Sequence, residues 1–112
     1  MERGGWKNRK EKHSTEALVI GRMPPQNIEA EMAVLGAMLL DKEAVVAVED
    51  MLTPADFYRE QDAIIYQAIL NLVHRGESAD ILTVTEELRR MGRLEDVGGI
   101  LYINELPLSL IH

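Results

Sequence analysis

Cysteine does not occur among the 112 residues, which excludes a disulfide scaffold, Cys-ligated zinc, an iron–sulfur cluster and a thiol nucleophile. Aromatic residues are nearly as scarce: one Trp, one Phe and three Tyr give 4%, while apolar residues in all give 46%. A core must therefore be built from Ala, Val, Ile, Leu and Met, a composition that favours helices over sandwiches or barrels. Apolar runs stop well short of the ~20 residues of a membrane span, and the N-terminus lacks the continuous apolar segment of a signal peptide. These features predict a cytoplasmic protein without a membrane partner. A phosphate loop is missing as well, because Gly98-Gly99 leads into Ile100 and Leu101 with no Lys. His13, His74 and His112 offer no pair with helical metal-ligand spacing, and Ser14, Ser78 and Ser109 have no evident His and acid partners. Paired carboxylates such as Glu86-Glu87 and Glu49-Asp50 read as solvated surface. Catalytic, metal-binding and cofactor-binding residues are accordingly not expected.

What the chain does contain is charge, unevenly placed. Residues 1–25 hold six basic and three acidic side chains, while residues 26–112 hold six basic and sixteen acidic ones. The acidic body is a poor match for a phosphate backbone, since nucleic-acid affinity comes from Lys and Arg displacing counterions, so no direct DNA binding is expected of it. Arg89, Arg90 and Arg93 are its one basic cluster, placed as cations suit a helix C-terminus. Residues 1–22 read as a flexible basic leader.

Helical signals follow Pro24-Pro25. Asn27 is an N-cap candidate with Glu29 and Glu31 in the first turn, and Ile28, Met32, Leu35 and Leu39 form an apolar stripe. Ala33, Gly36 and Ala37 keep a second side small enough for close approach of a neighbour. A further segment covers Ala44 to Leu52. Thr53 and Asp56 resemble a capping box around Pro54, and Phe57 and Tyr58 are expected to pack inside. The strongest pattern runs from Glu60 to Arg75, with Ile64, Ile65, Ala68, Ile69, Leu72 and Val73 on one wide face and Gly76 as a left-handed cap. Thr83 and Glu86 are taken as a second capping box ahead of a helix stopped by Gly92. Arg93 to Val97 allows one turn, and a last helix from Ile100 to Leu106 ends at Pro107. The expectation is an all-α bundle of about six short helices.

Four ordered blocks resemble the opening of bacterial DnaB-type replicative DNA helicases. They are Pro24-Pro25-Gln26-Asn27-Ile28-Glu29-Ala30-Glu31 continuing through Ala33 to Asp41, then Asp56-Phe57-Tyr58, then Ile65-Tyr66-Gln67-Ala68-Ile69, and finally Asp80 to Val84 leading to Gly92-Arg93-Leu94-Glu95-Asp96-Val97-Gly98-Gly99 and Tyr102. Met32, Asp62 and Ser78 depart from the family's usual Gln, His and Pro.

The resemblance implies a non-catalytic N-terminal head over residues 23–106, with residues 107–112 beginning a connection to a helical hairpin and a motor domain. It also implies a parent that is an ATP-dependent 5′ to 3′ helicase, with ATP and Mg bound in that motor. The head would self-associate in the collar of a hexameric ring, dock primase, and meet a helicase loader or initiator. A free-standing helical adaptor or regulator is the alternative. For partner contact the expected residues are Tyr102, Ile103 and Leu106, which adjoin the hairpin in the implied arrangement. Tyr102 comes first because tyrosine joins apolar area to a hydroxyl, although a core position with its hydroxyl at the surface is the competing reading. The apolar Leu108, Leu110 and Ile111 suggest burial by self-association.

Overall fold

The computed structural model describes residues 27–110; the proposed leader over 1–22 lies outside the described residues. Five α-helices and three short 3₁₀ turns make up this region: α1 (Ile28–Leu40), α2 (Lys42–Glu49), the Pro54–Asp56 turn, α3 (Glu60–His74), α4 (Ile81–Met91), the Glu95–Val97 turn, α5 (Gly99–Glu105) and the Pro107–Leu110 turn. The expected six helices are thus five among the described residues, because the Pro54 segment closes only one 3₁₀ turn, held by Thr53 N–H donating to Asp56 Oδ2 at 2.7 Å.

Local chemistry sets most boundaries. Asn27 Oδ1 accepts the Ala30 N–H at 2.9 Å and opens α1. Asp41 both ends α1 and caps α2 by accepting from Glu43 N–H at 2.9 Å, which starts α2 at Lys42 rather than Ala44. At α4 the capping box is Asp80 with Thr83, not Thr83 with Glu86. Asp80 Oδ1 accepts the Thr83 N–H at 2.9 Å, and Thr83 Oγ1 accepts the Asp80 N–H at 2.9 Å. Thr83 is therefore the third helical residue, and Glu86 is left on the surface to pair with Arg89.

Helix α3 is the centre of the core. It packs against α1, α4 and the turns at 54–56 and 95–97, and buries Ile64, Ile65, Tyr66, Ala68, Ile69 and Leu72. Tyr66 is fully buried, yet its hydroxyl donates to the carbonyls of Leu52 at 2.8 Å and Val48 at 3.4 Å. That tie holds the end of α2 to α3, and burial beside Glu49 pushes the phenol up to about 12. Phe57 packs on the Tyr66 ring with centroids 5.0 Å apart. Tyr58, expected inside with Phe57, is exposed instead, because the chain is extended at Phe57 and successive side chains point to opposite sides.

Helix α1 is buried on more than one face. Val34, Leu35, Ala37, Met38 and Leu39 enter the core, while Ile28 and Met32 of the expected stripe are only half-buried. The reason is the Pro107–Leu110 turn, which lies along α1 as well. Gly36 makes this possible: a Cβ there would stand 2.2 Å from the Leu106 carbonyl oxygen. The small side of α1 is therefore a seat for the chain's own C-terminal turn.

Candidate functional site

The end of the domain formed by α5 and the Pro107–Leu110 turn combines exposed apolar side chains with a buried polar cluster. Its course is set at Gly98 and Gly99, whose φ angles of 103° and 74° turn the chain from the 95–97 turn straight into α5. Gln61 anchors that corner by donating from Nε2 to the Val97 carbonyl at 3.3 Å. Along α5, Ile103 and Leu106 point inward and are fully buried. The opposite side carries Leu101 at 79% exposure, with Leu108 at 61% in the following turn. Of the three residues singled out from sequence, Ile103 and Leu106 are thus core contacts. Tyr102 is half-buried, with its hydroxyl turned inward. The outward apolar side chains of this end are Ile100, Leu101 and Leu108, and Tyr58 is an exposed aromatic elsewhere in the domain. The sequence signal for Leu101 was its offset of two from Ile103, which places it off the buried face of a helix.

Beneath this surface Tyr102 donates to Asp62 Oδ1 at 2.5 Å. Asp62, in the first turn of α3, is fully buried, and so is Glu31 in the first turn of α1. Glu31 accepts the backbone N–H groups of Tyr58 and Arg59, the latter at 3.4 Å, and so caps the entry to α3 from another helix. The Arg59 guanidinium lies 5.4 Å from the Tyr102 ring centroid, and its Nε is 3.9 Å from Asp62 Oδ2. Burial, with Glu31 alongside, pushes the Asp62 carboxyl up to about 7, against the opposing pull of Tyr102 and Arg59. Burial and the Asp62 carboxyl likewise push the Tyr102 phenol above its ordinary range.

A third buried carboxyl group, Glu87, joins α3 to α4. Glu87 accepts from Arg90 at 2.8 Å, Arg75 at 3.0 Å and Asn71 at 3.1 Å. The Arg75 contact, with Arg90 and Asn71 behind it, holds the Glu87 carboxyl down to about 2. A depressed carboxyl contributes stability above its ordinary pKa of 4.5 that is lost as pH falls through about 2. Glu87→Gln is therefore expected to flatten the loss of thermal stability between pH 5 and pH 2; an unchanged acid profile in the variant would remove Glu87 as its source. The basic cluster noted in the sequence is internally matched. Arg89 pairs with Glu86 at 2.9 Å, Arg90 with Glu87, and Arg93 with Asp96 at 2.6 Å. Among the described residues, no group of three or more His, Asp or Glu is placed to hold a metal ion, and no helix is long and apolar enough to cross a membrane.

Comparison with known proteins places these features in a family context. Residues 23–110 match the model of the DnaB-like helicase N terminal domain. The replicative DNA helicase DnaB of Geobacillus stearothermophilus is 49% identical over 85 residues, which is 76% of this chain and 19% of that protein. The replicative DNA helicase DnaC of Bacillus subtilis is 48% identical over 93 residues, 83% of this chain and 20% of that one. The crystal structure of the N-terminal domain of DnaB helicase from Mycobacterium tuberculosis superposes with a TM-score of 0.74 at 47% identity, covering 78% of this chain and 60% of that one. The chain spans about a fifth of the length of these two full-length relatives.

Proposed function

The chain belongs to the DnaB-like helicase N-terminal domain family, and on that premise we propose that it is the non-catalytic head of a replicative DNA helicase, acting in assembly of the hexameric collar and in docking primase in the bacterial cytoplasm. In this reading the ATP, the Mg and the DNA strand are handled by a motor domain elsewhere in the parent helicase, and the head contacts proteins. A helicase loader or initiator is a further partner of the same kind. The observation that carries the docking role is the apolar surface at the α5 end, where Leu101 and Leu108 stand exposed on a body with ten more acidic than basic side chains. Exposed apolar side chains grouped at one end, Ile100 with Leu101 and Leu108, suit a protein contact surface, and the acidic body favours a basic protein partner over nucleic acid. Ile103, Leu106 and the ring of Tyr102 support that surface from beneath by fixing α5.

Titration calorimetry of this 112-residue chain against the C-terminal domain of a bacterial primase tests the reading. Leu101→Asp is expected to weaken binding by about tenfold or more, the effect of losing one buried apolar anchor at an interface, while the melting curve stays that of the wild type. Equal affinity for both proteins would move the primase determinant off α5, and no binding by either would leave the head without a docking role of its own. Sedimentation of the same two proteins reads self-association through this surface separately from primase binding.

A further inference from the structure

Helix α2 is short and leaves a valine in water. Its eight residues bury Ala44, Val45 and Val48 against the core, but Val46 is 63% exposed, and Leu40 just before the helix and Met51 just after it are exposed as well. Nothing local recommends Val46, because a β-branched side chain is a weak helix former at a solvated position. Beside it lies a groove of about 270 Å³, lined by Val45 and Val46, by Val73 near the end of α3 and by Ala79 ahead of α4, with Lys42 and Glu77 as its charged members. The wall opposite α2 is fixed by backbone geometry. Gly76 turns the chain out of α3 at a φ of 82°, and the Glu77 N–H donates back to the Leu72 carbonyl at 2.9 Å. The α2 wall is tied to the same helix, since His74 reaches Glu49 at 3.7 Å and the Tyr66 hydroxyl bonds the Leu52 carbonyl.

The chemistry of the groove selects its occupant. Its volume is below the ~300–1,000 Å³ of small-molecule pockets and suits a few aliphatic side chains of a peptide. Residues 40–51 carry four acidic side chains against the single basic Lys42. Glu43, Glu49 and Asp50 stand three or four positions from Val46 and so flank it along α2. The carboxylates of α4, by contrast, have arginines at hand, Glu86 with Arg89 and Glu87 with Arg90. A second copy docked symmetrically would set two acidic faces against each other, and a phosphate backbone would be repelled in the same way. A basic segment with a short apolar run fits, and the chain contains one. Residues 1–22 hold six basic and three acidic side chains, and Ala17-Leu18-Val19-Ile20 lies between Lys12 and Arg22, with Glu16 as the one acidic residue of that stretch.

We propose that Ala17-Leu18-Val19-Ile20 of the chain's own leader occupies this groove, with Lys12 and Arg22 on its acidic margin. The tether is long enough. Helix α1, with 13 residues, carries the chain about 20 Å from Asn27 to the start of α2. The seven steps from Ile20 to Asn27 span about 23 Å when extended, and Pro24-Pro25 favours that extended form. The leader runs back beside α1, brings Ile20 to the Lys42 end of the groove and lays Val19, Leu18 and Ala17 along it. The groove belongs to α2 and the end of α3, separate from Leu101 and Leu108, and its occupation does not depend on what the α5 end docks. Covered in this way, it is closed to other proteins until the leader is displaced.

Because the chain has no cysteine, Thr15→Cys gives a single site for a nitroxide label next to the apolar run, and amide NMR of the full chain reads what lies near it. The amide signals of Val46, Val73 and Ala79 are expected to be lost in the labelled chain and regained when the nitroxide is reduced. Val46→Lys, at an exposed position, is expected to restore them with the label still active and to leave the melting curve unchanged, since it brings a like charge to the leader's basic side chains and removes no core contact. Leu18→Asp is expected to restore them from the leader's side. A mixture with the label and the nitrogen isotope on different chains is expected to show no loss. Groove signals retained in the labelled chain, losses confined to another surface such as α5, or losses that persist in either variant would each overturn the proposal. Equal losses in the mixture would overturn it too, by making a second copy's leader the occupant.

Discussion

Gly36→Ala is expected to be among the most damaging single-methyl additions in this domain. The added Cβ would lie 2.2 Å from the Leu106 carbonyl oxygen and 2.8 Å from the carbon that bears it, far inside van der Waals contact. The obstructing atoms are backbone, so no rotamer change relieves them. Either α1 moves away from its core contacts Leu35 and Met38, or the Leu106–Pro107 segment lifts off and exposes Leu106, which is now fully buried. Overpacking of this kind costs about 3 kcal/mol, against which the better helix propensity of alanine returns about 1 kcal/mol. A urea midpoint clearly below that of the wild type, with an unchanged slope, is the expected result. A midpoint equal to the wild type would mean that the C-terminal turn is not seated on α1.

Ile69→Ala is expected to cost more. Ile69 is fully buried at the middle of α3, the helix on which α1, α4 and two turns converge. Removing three carbons there leaves a cavity that its neighbours can fill only by shifting helices already held by Tyr66 and by the Glu87 contacts. The loss is about 3–4 kcal/mol, which in a domain of this size lowers the melting temperature by about 15 °C or more. Calorimetric melting reads it directly; a drop of only a few degrees would show that α3 is not the shared centre of the core.

These two effects differ in how far the residues announce them. Ile69 is legible from the chain, because Ile65, Ile69, Leu72 and Val73 recur at helical spacing within a run closed by Gly76. Gly36 is legible only as a small residue on a helix, which says that something approaches closely but not what does. The occupant turned out to be the C-terminal turn some seventy residues later in the chain. A similar gap separates Tyr102 from its role. Its residue type marks it as amphipathic, and the competing core reading describes its half-buried ring, yet the hydroxyl meets Asp62 inside the domain rather than water or a partner.

Caps and periodicity are local. An Asn, Asp or Gly at the right offset satisfies backbone groups within one turn, so the ends of α1, α3 and α4 could be placed from neighbours in the chain to within a few residues. The misplaced capping box at α4 arose inside that local chemistry, since Asp80 and Thr83 compete with Thr83 and Glu86 for the same pattern. The helical class, the central helix and the family likeness all rest on such local order. Long-range pairing is different, because the partner of a buried polar atom depends on how helices cross. Glu31 and Asp62 each read as ordinary first-turn carboxylates, favourable to their own helix dipoles, and nothing in either segment says that the two helix starts meet. Packing brought both into one dry site with Tyr102, and turned Leu101 outward while Ile103 and Leu106 turned in. Burial raises the Asp62 carboxyl and the Tyr102 phenol above their ordinary values, and which side chains face outward above them is likewise a property of the assembled core.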